Sequence, residues 1–186
     1  MKINYKNRWD NIQASLGEKD AFVAALPGNT RYLANSSSPP GSPPSSTMNF
    51  VVIPKRGEPI AITSSLEEHR CRHESSVKDI RCWTTYPDIE SDGKSSLEVL
   101  KSTLSDINAK QIFADTRIRL GRSFGISVSS KINEFRSIKS KEELYRIKKA
   151  IKYSDSGQSF AHNLVESGKG LTEQEVRSEI DYFMAR

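Results

Sequence analysis

The apolar positions at the start of the chain follow two different periods. Apolar side chains recur at helical spacing over residues 5–16, which predicts a first helix, and Gly17 is expected to end it in the left-handed conformation. The apolar run 21–26 predicts a buried strand, and the Pro-Gly-Asn sequence at 27–29 predicts a turn after that strand. The chain is therefore expected to begin with a helix, a strand and a turn.

Strands and helices continue to alternate along the middle of the chain. The predicted strands cover residues 49–54, 59–63, 79–84 and 111–115, and the first two form a hairpin across a short polar turn. Helices are predicted after Ser65 and after Ser95, because each serine precedes a glutamate at capping-box spacing. Residues 121–125 have a glycine at each end and predict a loop or a helix. The alternation predicts the α/β class, with a sheet covered by helices.

Two capped helices are predicted at the end of the chain. Ser140 and Glu143 have capping-box spacing and predict the start of a long helix, and Thr172 and Glu175 repeat this pattern for a shorter one. Each helix has an apolar face, formed by Leu144, Ile147, Ile151 and Ala161 in the first and by Val176, Ile180, Phe183 and Met184 in the second. No later residues cover these faces, so we expect the chain to be part of a longer polypeptide.

Residues 36–46 interrupt the pattern with six serines, four prolines and one glycine. Proline removes backbone donors and serine competes for backbone hydrogen bonds, so this segment is predicted to be an exposed loop. Two interpretations are open, a tolerated insertion and a lid or interaction loop.

Composition limits the class of partner. The formal net charge is +5, but Lys and Arg form no basic stripe, which argues against a nucleic-acid-binding role. No apolar run approaches the length of a membrane span, and the first residues lack the apolar core of a signal peptide. We therefore expect a soluble cytoplasmic protein with no nucleic-acid partner and no membrane partner. The two cysteines, Cys71 and Cys82, are not expected to form a disulfide.

No motif identifies catalytic chemistry by itself. His69 and His73 would share one face of a helix and could bind zinc together with a carboxylate, but two surface histidines explain the same spacing. The chain contains no G-x-S-x-G, P-loop or G-x-G-x-x-G motif. From the residues alone, we assign no catalytic residue and no metal ligand.

Three stretches of the sequence carry motifs of one known family. The first runs from Asp20-Ala21-Phe22-Val23 through Pro27-Gly28-Asn29-Thr30-Arg31-Tyr32-Leu33, and the second is the strand pair at 51–54 and 59–62. The third and most specific runs from Arg136-Ser137-Ile138-Lys139-Ser140 to the helix start Gly170-Leu171-Thr172-Glu173. Together they resemble the pita-bread metallopeptidases, the family of Xaa-Pro dipeptidase (prolidase), aminopeptidase P and creatinase.

The resemblance implies a fold and a division into domains. Residues 1–135 would form a creatinase/prolidase-type N-terminal domain, with a ribonuclease H-like mixed β-sheet flanked by helices. Residues 136–186 would be the linker and the first two helices of a pita-bread catalytic domain. Family members hold two divalent metal ions, Mn, Co or Zn, through two Asp, one His and two Glu. Those ligands would follow residue 186, so this fragment is expected to bind no metal and to be inactive.

The resemblance also implies an activity for the longer protein. The resemblance favours prolidase-like hydrolysis of the amide before proline, and aminopeptidase P activity is the next choice. The implied substrate is an Xaa-Pro dipeptide or peptide, and the implied assembly is a homodimer. Two other interpretations stay open, a non-catalytic homologue that acts as a protein-binding module and a creatinase-type amidinohydrolase.

The same motif supplies three candidate site residues. Asn29, Arg31 and Tyr32 lie where the N-terminal domain of relatives walls the partner subunit's active site, so the resemblance implies a role in substrate access or partner-subunit contact. The family's Y-L-x-G sequence is replaced here by Tyr-Leu-Ala-Asn at 32–35, followed by the Ser/Pro segment. The alternative is that Arg31 is a surface residue and Tyr32 an aromatic side chain at the edge of the core.

Overall fold

The computed structural model describes residues 3–35, 50–120, 124–168 and 170–186. Within these ranges the helices are α1 (Tyr5–Ala14), α2 (Pro27–Ala34), α3 (Glu68–Glu74), α4 (Ser96–Asp106), α5 (Lys131–Ser137), α6 (Lys141–Glu166) and α7 (Glu173–Met184). The strands are β1 (Asp20–Ala24), β2 (Phe50–Pro54), β3 (Ile60–Ser64), β4 (Asp79–Trp83), β5 (Gln111–Ala114) and β6 (Gly125–Val128). The Ser/Pro segment 36–46 lies outside the described residues.

The six strands form one mixed sheet in the order β4-β3-β2-β1-β5-β6. Strand β2 pairs antiparallel with both of its neighbours, and the other three strand pairs are parallel. The carboxyl ends of five strands therefore meet at one edge of the sheet, which is called the carboxyl edge below. The predicted α/β class with a mixed sheet flanked by helices is confirmed.

The inner strands β1, β2 and β3 are buried on both faces of the sheet. Successive side chains of β1 point to opposite faces, so Phe22 and Ala24 join one core and Ala21 and Val23 join the other. Helices α1, α2, α3 and α5 contribute to the first core, and α4 contributes to the second. Burial on both faces explains why β1 reads in the sequence as a continuous apolar run rather than as an alternating one.

Residues 27–34 form a helix, where the sequence predicted a turn. Pro27 occupies the first helical position, where its missing N–H costs nothing and its fixed φ fits the helix. Asn35 ends the helix in the left-handed conformation at φ 56. Gly17 was also predicted to be left-handed, but in this loop Lys19 takes that conformation, at φ 61. The prediction is wrong because α1 ends at Ala14, so Gly17 is not the residue that ends the helix, and its N–H donates to the Asp20 carboxylate.

One further prediction needs correction. Helix α3 forms, but its N-cap residue is Glu67 and no side chain caps it, so the predicted serine-based capping box is absent there. Most of the predicted loop or helix at 121–125 lies outside the described residues, and residues 125–128 form strand β6, which the sequence did not predict. In that strand only Ile126 is half-buried and the other three residues are exposed, so the strand carries no apolar pattern that a sequence could reveal.

The chain divides into two compact units, Asn4–Ser137 and a second that contains Ile138–Arg186. In the second unit, α6 and α7 begin with the predicted capping boxes at Ser140 and Thr172. The rings of Phe160 and Phe183 stack with centroids 4.4 Å apart, and this contact joins the two helices. Among the described residues, no helix combines the length and apolarity needed to cross a membrane.

Both cysteines are free and buried in the first core. The pKa of the Cys82 thiol is raised to about 12, mainly by burial and to a smaller extent by the nearby Glu68 carboxylate. The folded state therefore favours the protonated thiol, while an unfolded chain would release this proton at a lower pH.

We expect this thiol to make stability fall in alkali. Because its pKa is raised in the folded state, its contribution is complete below the unfolded pKa and declines as the pH rises towards about 12. Urea unfolding measured at several alkaline pH values should show a steeper loss for the wild type than for Cys82→Ala. Cys71→Ala is the matched control for removal of a buried thiol. Parallel pH dependences for the wild type and Cys82→Ala would contradict the prediction.

Candidate functional site

Helix α2 carries all three predicted site residues and begins at the carboxyl edge, directly after β1. Asn29 is buried, with 2% of its surface exposed, although the sequence placed it in a turn. Arg31 is exposed and Tyr32 is half-buried against the first core. The three side chains are therefore on one short helix but in three different environments.

The backbone at the start of α2 is bound by a side chain that follows another strand. Asp115 follows β5, the parallel neighbour of β1, and its carboxylate accepts hydrogen bonds from the backbone N–H groups of Ala25 at 2.9 Å and Leu26 at 3.1 Å. Leu26 is the N-cap residue and has no side chain that could cap the helix. A carboxylate at this end also favours the helix dipole. Asp115 therefore replaces the local cap that the sequence lacks.

The buried amide of Asn29 connects Asp115 with a residue more than a hundred positions along the chain. Its Nδ2 donates to the Asp115 carboxylate at 2.8 Å, and its Oδ1 accepts from Nη1 of Arg136 at 2.5 Å. Arg136 lies in the last turn of α5, and its side chain is otherwise exposed. The two hydrogen bonds that connect Asp115, Asn29 and Arg136 are together called the relay below.

The other end of α2 is held by α1. The Arg8 guanidinium donates to the backbone oxygen of Tyr32, and Trp9 Nε1 donates to the backbone oxygen of Leu33 at 2.8 Å. These carbonyls belong to the last turn of the helix, where partners within the helix are missing. The Arg8 guanidinium also lies 4.0 Å from the centre of the Tyr32 ring, and that of Arg136 lies 5.8 Å from it.

The described residues around α2 position one another, but they do not form a recognisable group of catalytic side chains. Two arginines from other helices, Arg8 and Arg136, contact α2, and the Asp115 carboxylate already accepts three hydrogen bonds. In the described ranges, no three His, Cys, Asp or Glu side chains come together as metal ligands. His69 and His73 are exposed on α3. The pair of metal ions that the resemblance implies does not fit the part of the chain that the structure describes.

The described residues of the first unit also enclose a small cavity of about 20 Å³. It lies between α1, α5 and the sheet, with Phe22, Phe113 and Phe135 in its lining. This volume holds about one water molecule, so it offers no room for a peptide side chain.

The sequence offered Asn29, Arg31 and Tyr32 as candidates, but it did not indicate that Asp115, Arg8 and Arg136 contact Asn29 and Tyr32. The signal for Asp115 was an acidic residue directly after a buried strand, at the edge where parallel strands end. Arg136 was noted only as part of a motif, and its contact with Asn29 spans 107 positions. Pairings of this range cannot be found from local spacing.

Comparison with known proteins supports the fold assignment. No family model matches the sequence. A segment of 59 residues is 44% identical to an uncharacterized peptidase of Methanocaldococcus jannaschii, and this segment covers 32% of the chain and 17% of that peptidase. The local match is therefore too short to transfer an activity.

Solved structures match nearly the whole chain. An Xaa-Pro dipeptidase from Bacillus anthracis matches with a TM-score of 0.70 at 16% identity, and an X-Pro aminopeptidase from Thermotoga maritima with 0.71 at 18% identity. Each match covers 98% of this chain and 49% of the solved one, so the chain spans about half the length of these structures.

A shorter structure identifies the domain. The creatinase/prolidase N-terminal domain of an X-Pro dipeptidase from Streptococcus pyogenes matches with a TM-score of 0.51 at 17% identity, over 69% of this chain and 98% of that one. The mixed sheet flanked by helices thus has the fold of a creatinase/prolidase N-terminal domain.

We expect Asp115→Ala to destabilise the first unit. The substitution leaves two backbone N–H groups and the Asn29 amide without their acceptor, so the free energy of unfolding should fall by about 2 kcal/mol. Chemical denaturation of the chain measures this loss. Asp88→Ala, which removes an exposed loop carboxylate, is the matched control and should change stability by less than about 0.5 kcal/mol. Equal effects of the two substitutions would contradict the capping role.

Proposed function

We propose that this chain is the N-terminal part of a metal-dependent Xaa-Pro peptidase, a prolidase-like dipeptidase first and an aminopeptidase P second. The observation that carries the proposal is the match of nearly the whole chain to the N-terminal half of enzymes with these two activities. The peptidase segment that matches at 44% identity supports the same class. The choice of the dipeptidase is the more specific part of the proposal.

In this proposal the described part of the chain does not perform hydrolysis. The two divalent metal ions, Mn, Co or Zn, would be bound by residues outside it and would activate a water molecule for attack on the amide before proline. Residues 1–135 serve substrate access and dimerisation, and residues 136–186 begin the catalytic domain. The protein acts in the cytoplasm as a homodimer.

The second unit supports the idea of a further packing partner. Leu144, Ile147 and Ile151 of α6 form an exposed apolar stripe, with between 42% and 53% of each side chain exposed. A contiguous apolar surface of this kind is typical of an interface. In our proposal, the remainder of the catalytic domain covers this stripe.

Substrate access is assigned to α2. Arg31 is exposed on α2, which begins at the carboxyl edge, where ligands of sheets with parallel strands usually bind, and no carboxylate of the described residues pairs with it. Its guanidinium is suited to attract the carboxylate of a short peptide. Tyr32, held by two guanidinium groups, would form the wall beside it.

Hydrolysis by the longer polypeptide tests this function. With Mn²⁺ or Co²⁺ we expect it to release proline from an Xaa-Pro dipeptide faster than it cleaves an Xaa-Pro tripeptide, and a chelator should abolish both activities because the metal ions activate the water. Liquid chromatography of the products measures both rates, with an Xaa-Ala dipeptide as the control. Preference for the tripeptide would favour the aminopeptidase. Hydrolysis of creatine, or no hydrolysis at all, would contradict the peptidase.

A single substitution tests the role of Arg31. In the longer polypeptide, Arg31→Ala should raise KM for the Xaa-Pro substrate roughly fivefold and leave kcat within about twofold, since it removes an interaction that substrate and transition state share. Arg56→Ala, at an exposed arginine of the β2–β3 hairpin at the other edge of the sheet, is the matched control. An equal KM for wild type and Arg31→Ala would contradict the role of Arg31 in substrate access and would make it a surface residue without a part in binding.

A further inference from the structure

Helix α2 is held at both ends by side chains that lie outside it. Its eight residues are too few for an independently stable helix. Asp115 holds the two residues that lead into the helix, and Arg8 and Trp9 hold its last turn. The position of the helix is therefore set by these partners rather than by its own sequence.

The relay adds a third fixed point, which the capping of the helix does not require. Asp115 accepts from the backbone N–H groups of Ala25 and Leu26 without any help from Asn29. In addition, the Asn29 side chain makes two hydrogen bonds. Its Nδ2 donates to the Asp115 carboxylate, and its Oδ1 accepts from Arg136 of α5. Because Asn29 is 2% exposed, losing either partner would leave a buried polar atom unpaired.

The relay also reaches the candidate substrate-access residues. Asn29 and Tyr32 are three positions apart and share one side of α2, and the Arg136 guanidinium contacts both of them. Arg31, between them in sequence, is exposed. A shift of the first turn of α2 would therefore move Arg31 and Tyr32 together.

We propose that Asn29 and Arg136 are positioning residues, which act through α2 to place Arg31 and Tyr32 for substrate access. This inference rests on the proposed function for its effect on substrate. Arg136 does not need to touch the substrate for this role, since its contacts with Asn29 and Tyr32 orient the helix. The relay links α2 to the sheet through Asp115 and to α5 through Arg136.

Two measurements test the relay, one on activity and one on the chain itself. In the longer polypeptide, Arg136→Met and Asn29→Ala should each raise KM for an Xaa-Pro substrate roughly tenfold, with kcat within about twofold. The double variant should be no worse than either single one, because both break the same connection. Arg136→Lys keeps a donor and should restore part of the loss. Asn133→Ala, an exposed side chain one turn earlier in α5, is the control.

Hydrogen exchange of this chain gives the second readout. Arg136→Met should speed exchange of the amides in the first turn of α2 roughly tenfold, while the last turn, held by α1, changes less. Unchanged exchange would overturn the relay, whatever the activity of the longer protein. Faster exchange with an unchanged KM would overturn the link to substrate. Absence of any hydrolysis by the wild type would instead contradict the proposed function, and the exchange pattern would then decide the relay alone.

Discussion

The carboxylate of Asp115 is the interaction on which the carboxyl edge of the sheet depends. It stands at the end of β5 and binds the backbone at the end of the parallel neighbour β1, so it fixes the point where the chain leaves the sheet and α2 begins. A charged acceptor that receives three donors is worth more than a neutral one, and it is placed at the positive end of the helix dipole. The start of α2, which carries the candidate residues, is therefore fixed by this side chain, and Arg8 and Trp9 fix its end.

The sheet provides the rigid frame for that edge. Its central strand β1 has no exposed side, because its side chains pack into a hydrophobic core on each face of the sheet. Rigid elements place functional side chains more accurately than loops do, because their rotamers and backbone are fixed by packing. Helix α2 is short, but anchoring to β5, α1 and α5 gives it the rigidity of the elements that hold it.

The sequence predicts the elements that form through local patterns and misses those that form through distant ones. The strand at 21–24, the hairpin and the capped helices at Ser140 and Thr172 carry their own signals of period and capping, and the structure has them. Helix α2 is different, since Pro27 and Gly28 read locally as a turn and its cap comes from Asp115, 88 residues after Pro27. Strand β6 was missed because an exposed edge strand needs no apolar pattern. Asn29 became a candidate through a family motif, but its burial between two charged groups was not foreseeable from spacing.

The bond between Asn29 and Arg136 also limits how this sequence can change over time. A buried amide held between an acid and a base tolerates few single replacements, because each leaves one neighbour without its partner. Substitutions at the two positions should therefore be acceptable mainly as a pair, although 107 positions separate them. Amino-acid substitutions at the start of α2 are thus coupled to substitutions at the end of α5. Sequences that keep one member of this pair and replace the other should carry a compensating change nearby.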